Sequence, residues 1–213
     1  MNGKLENKVT VVTGGSTGIG LGAARRFAAE GAQVFITGRR QSELDKAVTT
    51  IEGNVTAIQG DTSKLADLDR IYQTVKTRAG RIDVLFVNAG FYEFDKFGEI
   101  TEEHFDKTFN TNVRGLLFAV QKALPLLSHG SSVILTGSIA SIKGFEAFSV
   151  YNATKAAVRS FAHSWSNDLK GRGIRVNVLS PGQMGKVAVF LASDDSAYVN
   201  GVELFAGGGV DRY

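Results

Sequence analysis

The feature that most constrains this chain is an alternation of short β-branched runs with stretches long enough to be helices. The runs are Val9–Thr13, Gln33–Thr37, Val55–Ile58, Val84–Val87, Ser132–Leu135, Arg175–Leu179 and Val202–Phe205. Most are apolar on both faces, as strands covered above and below by helices must be. The clearest intervening helix sets Phe105, Phe109, Val113, Leu116, Val120, Leu124 and Leu127 in steps of three and four, with Pro125 close to its end. A second is predicted from about Ser149 to Lys170, with Gly171 and Gly173 stopping it. Strands that alternate with crossover helices predict an α/β fold, a doubly wound parallel β-sheet flanked by helices. Across 213 residues no linker, composition shift or repeat divides the pattern, so one domain over 1–213 is expected.

Composition narrows the function classes. Hydrophobic residues at 43% and charged residues at 21% suit a folded globular chain. With no cysteine there is no disulfide, thiolate metal site or cysteine nucleophile, which fits a reducing, cytoplasmic setting. His104, His129 and His163 have no metal-ligand spacing, so no metal is expected. No stretch approaches the roughly 18 apolar residues of a membrane span, and Met1 to Lys8 lack the apolar core of a signal peptide. The net charge of +3 is dispersed, with basic residues paired at most, so neither nucleic acid nor membrane is an expected partner.

In a doubly wound sheet the ligand sits outside the carboxyl ends of the strands. The first strand runs directly into Gly14-Gly15-Ser16-Thr17-Gly18-Ile19-Gly20 and then an alanine-rich stretch. Glycines at 14, 18 and 20 let the backbone turn sharply and admit a pyrophosphate to a helix amino terminus, a Rossmann-type arrangement. The spacing is one residue wider than the common dinucleotide fingerprint. At the end of the second strand a NAD enzyme needs a carboxylate for the ribose 2′-hydroxyl. Here the strand ends Thr37-Gly38-Arg39-Arg40, without an acid. A guanidinium there can clamp a 2′-phosphate, so NADP(H) is favoured over NAD(H), with Arg39 as the main contact and Ser16 as helper. Otherwise both arginines are solvated residues opening the next helix, with Ser42 as its cap.

Tyr151 and Lys155 stand four residues apart, which on a helix puts them on one face. A tyrosine of pKa about 10 is a poor general base near neutrality, and a neighbouring ammonium favours its phenolate. Ser138 ends the preceding strand and offers a hydroxyl to a carbonyl or alkoxide.

Taken together these residues resemble the short-chain dehydrogenase/reductases in their compact single-domain form. The matching residues are Thr13-Gly14, Gly18-Ile19-Gly20, Asp61, Asn88-Ala89-Gly90, Asn112, Ser138, Tyr151, Lys155 and Pro181-Gly182, in the family's order and spacing. The resemblance implies a carbonyl–alcohol oxidoreductase, most simply a ketone or aldehyde reductase when NADPH is the donor. Tyr151 would be the acid/base, Lys155 would lower its pKa and hold the nicotinamide ribose, and Ser138 would orient the carbonyl. Asn112 would hold a water in a proton relay to Lys155, although on residues alone it reads as a locally satisfied helix residue. Asp61 and Thr62 would border the adenine, and Asn88, Ala89 and Gly90 would support the cofactor. For Asp61 a turn or cap role is the plain alternative. Two helices, those containing Phe105–Leu127 and Tyr151, imply a homodimer or homotetramer. A non-catalytic NADP-binding sensor on the same fold would be expected to have lost Ser138, Tyr151 or Lys155, and all three are present.

The departure from the family falls after Pro181-Gly182. The family has a lid of a few tens of residues there, whereas Gln183-Met184 follow at once. A lid segment is therefore expected to be missing between 182 and 183. Either it is left out of the sequence in hand or it is deleted, and the mobility of such lids favours the first. Substrate identity is open, because Phe91, Tyr92, Phe94, Phe97, Phe145 and Phe148 fit an aromatic ketone pocket and also fit packing or subunit contact.

Overall fold

The computed structural model describes residues 3–180 and 184–206. Among them seven strands form one sheet in the order β3-β2-β1-β4-β5-β6-β7, with every neighbouring pair parallel. The strands are β1 (Val9–Thr13), β2 (Gln33–Gly38), β3 (Val55–Gln59), β4 (Ile82–Val87), β5 (Leu127–Thr136), β6 (Arg175–Ser180) and β7 (Glu203–Phe205). Helices α1 (Gly18–Ala29), α2 (Gln41–Thr50), α3 (Leu65–Ala79), α4 (Glu102–Phe109), α5 (Leu116–Ala123), α6 (Ser149–Asp168) and α7 (Met184–Ala192) make the crossovers. All seven predicted strands are present, with ends shifted by a few residues.

The sheet is buried on both faces, which is why its strands read as apolar runs. One face packs Val11, Leu85, Val133 and Val176 against Leu68 and Ile71 of α3, Ala119 of α5, and Val158 and Ala162 of α6. The other packs Val12, Ile36, Phe86 and Ile134 against Ala24 and Phe27 of α1, Leu44 of α2, and Ala188 and Leu191 of α7. Burial of this kind contributes about 1.5–3 kcal/mol per large aliphatic or aromatic side chain. The Arg175 guanidinium ties β6 to the far end of α7 by donating to the Leu191 and Ser193 carbonyls and to Ser196 Oγ.

Two predicted elements differ. The single helix expected over Phe105–Leu127 is broken by a π-helical turn at Asn110–Gly115 and stops at Ala123. Pro125 cannot continue the hydrogen-bond ladder, and Leu127 opens β5 opposite Ile82 instead. Ser42 does not cap α2, because Arg40 holds that position without a side-chain bond. The strand order reverses between β1 and β4, and the crevice above that point is where a doubly wound sheet binds its ligand.

Candidate active site

The crevice is a polar cleft of about 440 Å³ lined by Gly14, Ser16 and Thr17, by Thr37 to Arg40, by Gly60 to Thr62, by Asn88 to Gly90, and by Thr111. Its floor is the turn from β1 to α1. Gly14 takes φ 64°, a left-handed conformation, and a Cβ on Gly20 would lie 2.2 Å from the Gly14 carbonyl oxygen. Neither position tolerates a side chain, so the backbone itself forms the cradle. Gly18, Ile19 and Gly20 open α1, whose first turn carries no acid and whose cap, Thr17, makes no side-chain bond. The first N–H groups of α1 are thus left without a side-chain cap, next to the cleft wall at Thr17.

Asn88 fastens the cradle. Its Nδ2 donates to the carbonyls of Thr13 and Gly14, while Thr13 Oγ1 accepts from the backbone N–H groups of Asn88 and Ala89. Thr136 Oγ1 donates to Asn88 Oδ1, which joins β1, β4 and β5 at their ends. Thr13 entered the sequence reading only as the residue before Gly14, and Thr136 was given no role there; their place as the last residues of buried strands was the available signal.

At the next strand end Arg39 and Arg40 are exposed on the rim, and neither guanidinium has an acidic partner among the described residues. Ser16 Oγ would lie 2.8 Å from a Cβ on Gly38, so serine and the arginine pair meet on one lip. Beside them Thr37 Oγ1 is fully buried without a hydrogen-bond partner. An orphaned hydroxyl, a backbone cradle and guanidinium groups without acidic partners fit a dinucleotide cofactor. Asp61 is half-buried, with Oδ1 accepting from both the backbone and the hydroxyl of Ser63. It is a turn residue and a cleft wall at once, beside the buried Thr62. Pro181 and Gly182 lie outside the described residues.

The remaining predicted residues gather beyond the end of β5. Ser138 follows the strand in extended conformation and starts a short 3-10 turn, with its Oγ accepting from Ala140 N–H. Tyr151 is half-buried in the first turn of α6, near Ser138. Lys155 is buried one turn further on and donates to the Thr136 carbonyl at 2.8 Å. Its Nζ is 5.5 Å from the centre of the Tyr151 ring.

Burial pushes the Tyr151 phenol above its usual value of 10, against the opposing effect of Ser138 and with a further rise from the Tyr92 phenol. Burial also brings Lys155 down to about 8, opposed by the carboxylate of Glu203. The sequence expectation that Lys155 lowers the Tyr151 pKa is therefore not met in the chain alone. The ammonium is turned to the Thr136 carbonyl, and desolvation dominates both groups.

The side chain of Asn112 is satisfied by protein groups. It sits buried in the π-helical turn, its Nδ2 donating to the Phe91 carbonyl and Thr154 Oγ1 and its Oδ1 accepting from Phe91 N–H. The local satisfaction read from the residue alone describes this side chain, which ties the segment after Gly90 to α6. Glu203 was missed from sequence. Its carboxylate accepts from Ser141 and Ser180, bracing the Ser138 turn against β6. An acid on a short strand among apolar neighbours was its only signal.

The fold thus sets a polar cleft at the switch point close to a tyrosine–lysine pair beyond the end of β5. The family profile of the short chain dehydrogenases matches residues 8–192. Oxidoreductase asL5 of Sarocladium schorii is 42% identical, with 97% of each chain covered. Dehydrogenase/reductase SDR family member 4 of Mus musculus is 31% identical over 96% of this chain and 88% of its own. A short chain dehydrogenase from Mycobacterium smegmatis superposes with a TM-score of 0.90 at 28% identity, over 96% of this chain and 94% of that one. The chain belongs to the short-chain dehydrogenase/reductase family, and as such is an oxidoreductase that uses a nicotinamide cofactor on small-molecule substrates. The alignment with the Sarocladium protein runs over 241 positions, more than the 213 residues of this chain. That relative therefore carries a few tens of residues with no counterpart here.

Proposed function

We propose that the chain is an NADP(H)-dependent reductase of ketones or aldehydes, with Tyr151 as acid/base. The observation that carries this reading is the convergence of the Tyr151 phenol, the Ser138 hydroxyl and the buried Lys155 amine at the end of β5, beside a cleft rimmed by Arg39 and Ser16. When bound, the cofactor supplies a hydride to the carbonyl carbon. The protein's part is to bind, orient and move a proton. Gly14, Gly18, Ile19 and Gly20 hold the pyrophosphate, Thr17 opens the helix that receives it, and Arg39, Arg40 and Ser16 hold the 2′-phosphate. Asp61, Thr62, Asn88, Ala89 and Gly90 shape the walls. Ser138 donates to the substrate oxygen while Tyr151 delivers the proton to it. A phenol held above its ordinary pKa stays protonated at neutral pH, which suits an acid in the reductive direction. Lys155, anchored on Thr136, keeps an ammonium close to the phenol, whose positive charge offsets the negative charge left on Tyr151 after proton transfer. Asn112 positions rather than reacts, by fixing Phe91 against α6.

Tyr151→Phe is expected to lower kcat for ketone reduction by about 10²- to 10⁴-fold, the usual worth of a positioned acid. NADPH affinity, read by fluorescence, should stay within about twofold; near-normal turnover would overturn the assignment. Arg39→Ala should weaken NADPH by about 10- to 100-fold and leave NADH almost unchanged, as loss of charge-assisted bonds to one phosphate predicts. Equal loss for both cofactors would reject NADP(H) preference.

We also infer that the residues lacking relative to the relatives fall between Gly182 and Gln183, where a lid belongs. No helix of the described residues is long and apolar enough to cross a membrane, and a cytoplasmic enzyme is the reading we favour. The apolar groove between α5 and α6, lined by Leu117, Val120, Leu124 and Trp165, supports a homodimer or homotetramer.

A further inference from the structure

Beside Tyr151 stands a group of aromatic rings that the cofactor chemistry does not use. Phe148 stacks on the Tyr151 ring with centroids 4.5 Å apart, and Phe94 stacks on Phe148 at 4.4 Å with an interplanar angle of 11°. Tyr92 meets Phe94, Phe148 and Tyr151 edge-on, at 6.1, 6.4 and 6.4 Å. The reacting tyrosine is thus one member of a continuous four-ring shelf. Its outer members face solvent, with Tyr92 65% and Phe94 61% exposed. Leaving two large rings in water, in contact only edge to face, forgoes most of their burial energy.

The shelf is held in place rather than draped. Phe91 is bonded through both its N–H and its carbonyl to Asn112. Asp95 donates its N–H to the Ala147 carbonyl at 2.9 Å, and its carboxylate pairs with Nδ1 of the buried His104. The segment carrying Tyr92 and Phe94 is therefore pinned at both ends, once to the π-helical turn and once to the loop that carries Phe148. A surface fixed before ligand arrives loses little entropy on binding.

We propose that this shelf is the substrate's ring subsite, and that the enzyme takes aryl carbonyl compounds, with the aromatic ring lying on Tyr92 and Phe94 while the carbonyl reaches Tyr151. The inference rests on the reading of Tyr151 as the proton donor. Phe148 lies face to face with the phenol ring and Tyr92 meets it edge-on, so a carbonyl at Tyr151 has ring surface beside it for its substituents. A flat π-face is then offered to whatever is attached. Stacked or edge-on ring pairs add about 0.5–1.5 kcal/mol beyond area burial. An aliphatic ring of equal size is at least as hydrophobic but gains no such pairing, so the shelf prefers the aryl compound where grease alone would not.

The test compares 1-phenylpropan-2-one with 1-cyclohexylpropan-2-one, whose carbonyls are insulated from the ring and so similar in reactivity. Dissociation constants for the NADP⁺-saturated enzyme are measured by ligand-observed NMR titration, which needs no turnover, and kcat/KM is measured with NADPH. The phenyl ketone should bind about 3- to 10-fold tighter. Phe94→Leu and Tyr92→Leu should each remove most of that preference, and both positions are exposed enough to accept leucine without unfolding. An equal or reversed preference in the wild-type enzyme, or one that survives both substitutions, overturns the subsite. If a second copy of the chain covers the shelf instead, Phe94→Leu shifts the sedimentation profile and no phenyl preference is seen. Selective binding of the phenyl ketone without turnover of either compound would leave the subsite standing and overturn the reductase reading.

Discussion

The nucleotide side of the crevice is built largely from backbone: positive-φ Gly14 and Gly18, the N–H groups of α1, and the strand-end hydroxyls of Thr13 and Thr136, joined through Asn88 across β1, β4 and β5. The side beyond Tyr151 is built from rings, with Tyr92, Phe94 and Phe148 held by pairs such as Asp95–His104. On the first side the left-handed residues are glycines; on the second the left-handed residue is Ala147, at φ 58°. A binding surface made of backbone tolerates almost no added atom, whereas one made of side chains can be revised residue by residue without loss of the fold. Conserving the cofactor while changing the substrate needs this division of material.

The sharpest way to break that contrast is to add one methyl group to the backbone side. A Cβ on Gly20 would lie 2.2 Å from the Gly14 carbonyl oxygen and 2.6 Å from Asn88 Nδ2. The Gly20→Ala variant should lose about 3 kcal/mol of nucleotide binding, roughly a 100-fold weaker NADPH, together with a lower melting temperature. Titration of NADPH fluorescence measures the first and calorimetry the second. Affinity within a few-fold of wild type would mean that the cradle is more compliant than its contacts indicate.

Between the two sides lies Lys155, whose buried amine is brought from 10.5 down to about 8. Its folded pKa is below its unfolded one, so the unfolded chain binds more protons between those values and stability rises with pH across that window. The burial penalty is fully present below pH 8 and is relieved toward pH 10.5, with an upper size of about 3 kcal/mol. Lys155→Met should therefore be more stable than wild type at pH 7, with the gap closing as pH rises through 8 to 10. Denaturant unfolding of both proteins without cofactor reads this directly. A constant gap would mean that the amine keeps its charge at all these pH values.

The same division explains what could be read before any coordinates. Glycine spacing, strand-end hydroxyls and the Tyr151–Lys155 interval are local facts of sequence, and they located the cleft and the seven strands. The π-helical turn that redirects Asn112, and the carboxylate of Glu203 reaching Ser141 and Ser180 from a strand at the other end of the chain, depend on long-range packing. No local pattern encodes them. The rings beyond Tyr151 were visible as composition, but their stacking order required a third dimension.

The smallest effect should come from removing an atom on the ring side. Ala147 sits between the Asp95 contact and Phe148, and its Cβ in the left-handed region costs about 1 kcal/mol or somewhat more. Ala147→Gly relieves that strain but gives the unfolded chain more freedom, a penalty of about 0.5–1 kcal/mol. The two nearly cancel, with a net gain of a few tenths of a kcal/mol and a rise in melting temperature of about 1 °C. The hydrogen bond from Asp95 N–H to the residue 147 carbonyl uses backbone alone and should persist, so the phenyl preference should fall by less than about twofold. Calorimetry and the two-ketone titration, run on the same preparation, check both. A fall of several degrees would show that the methyl group packs where glycine leaves a hole, and that the ring side is as intolerant of change as the cradle opposite.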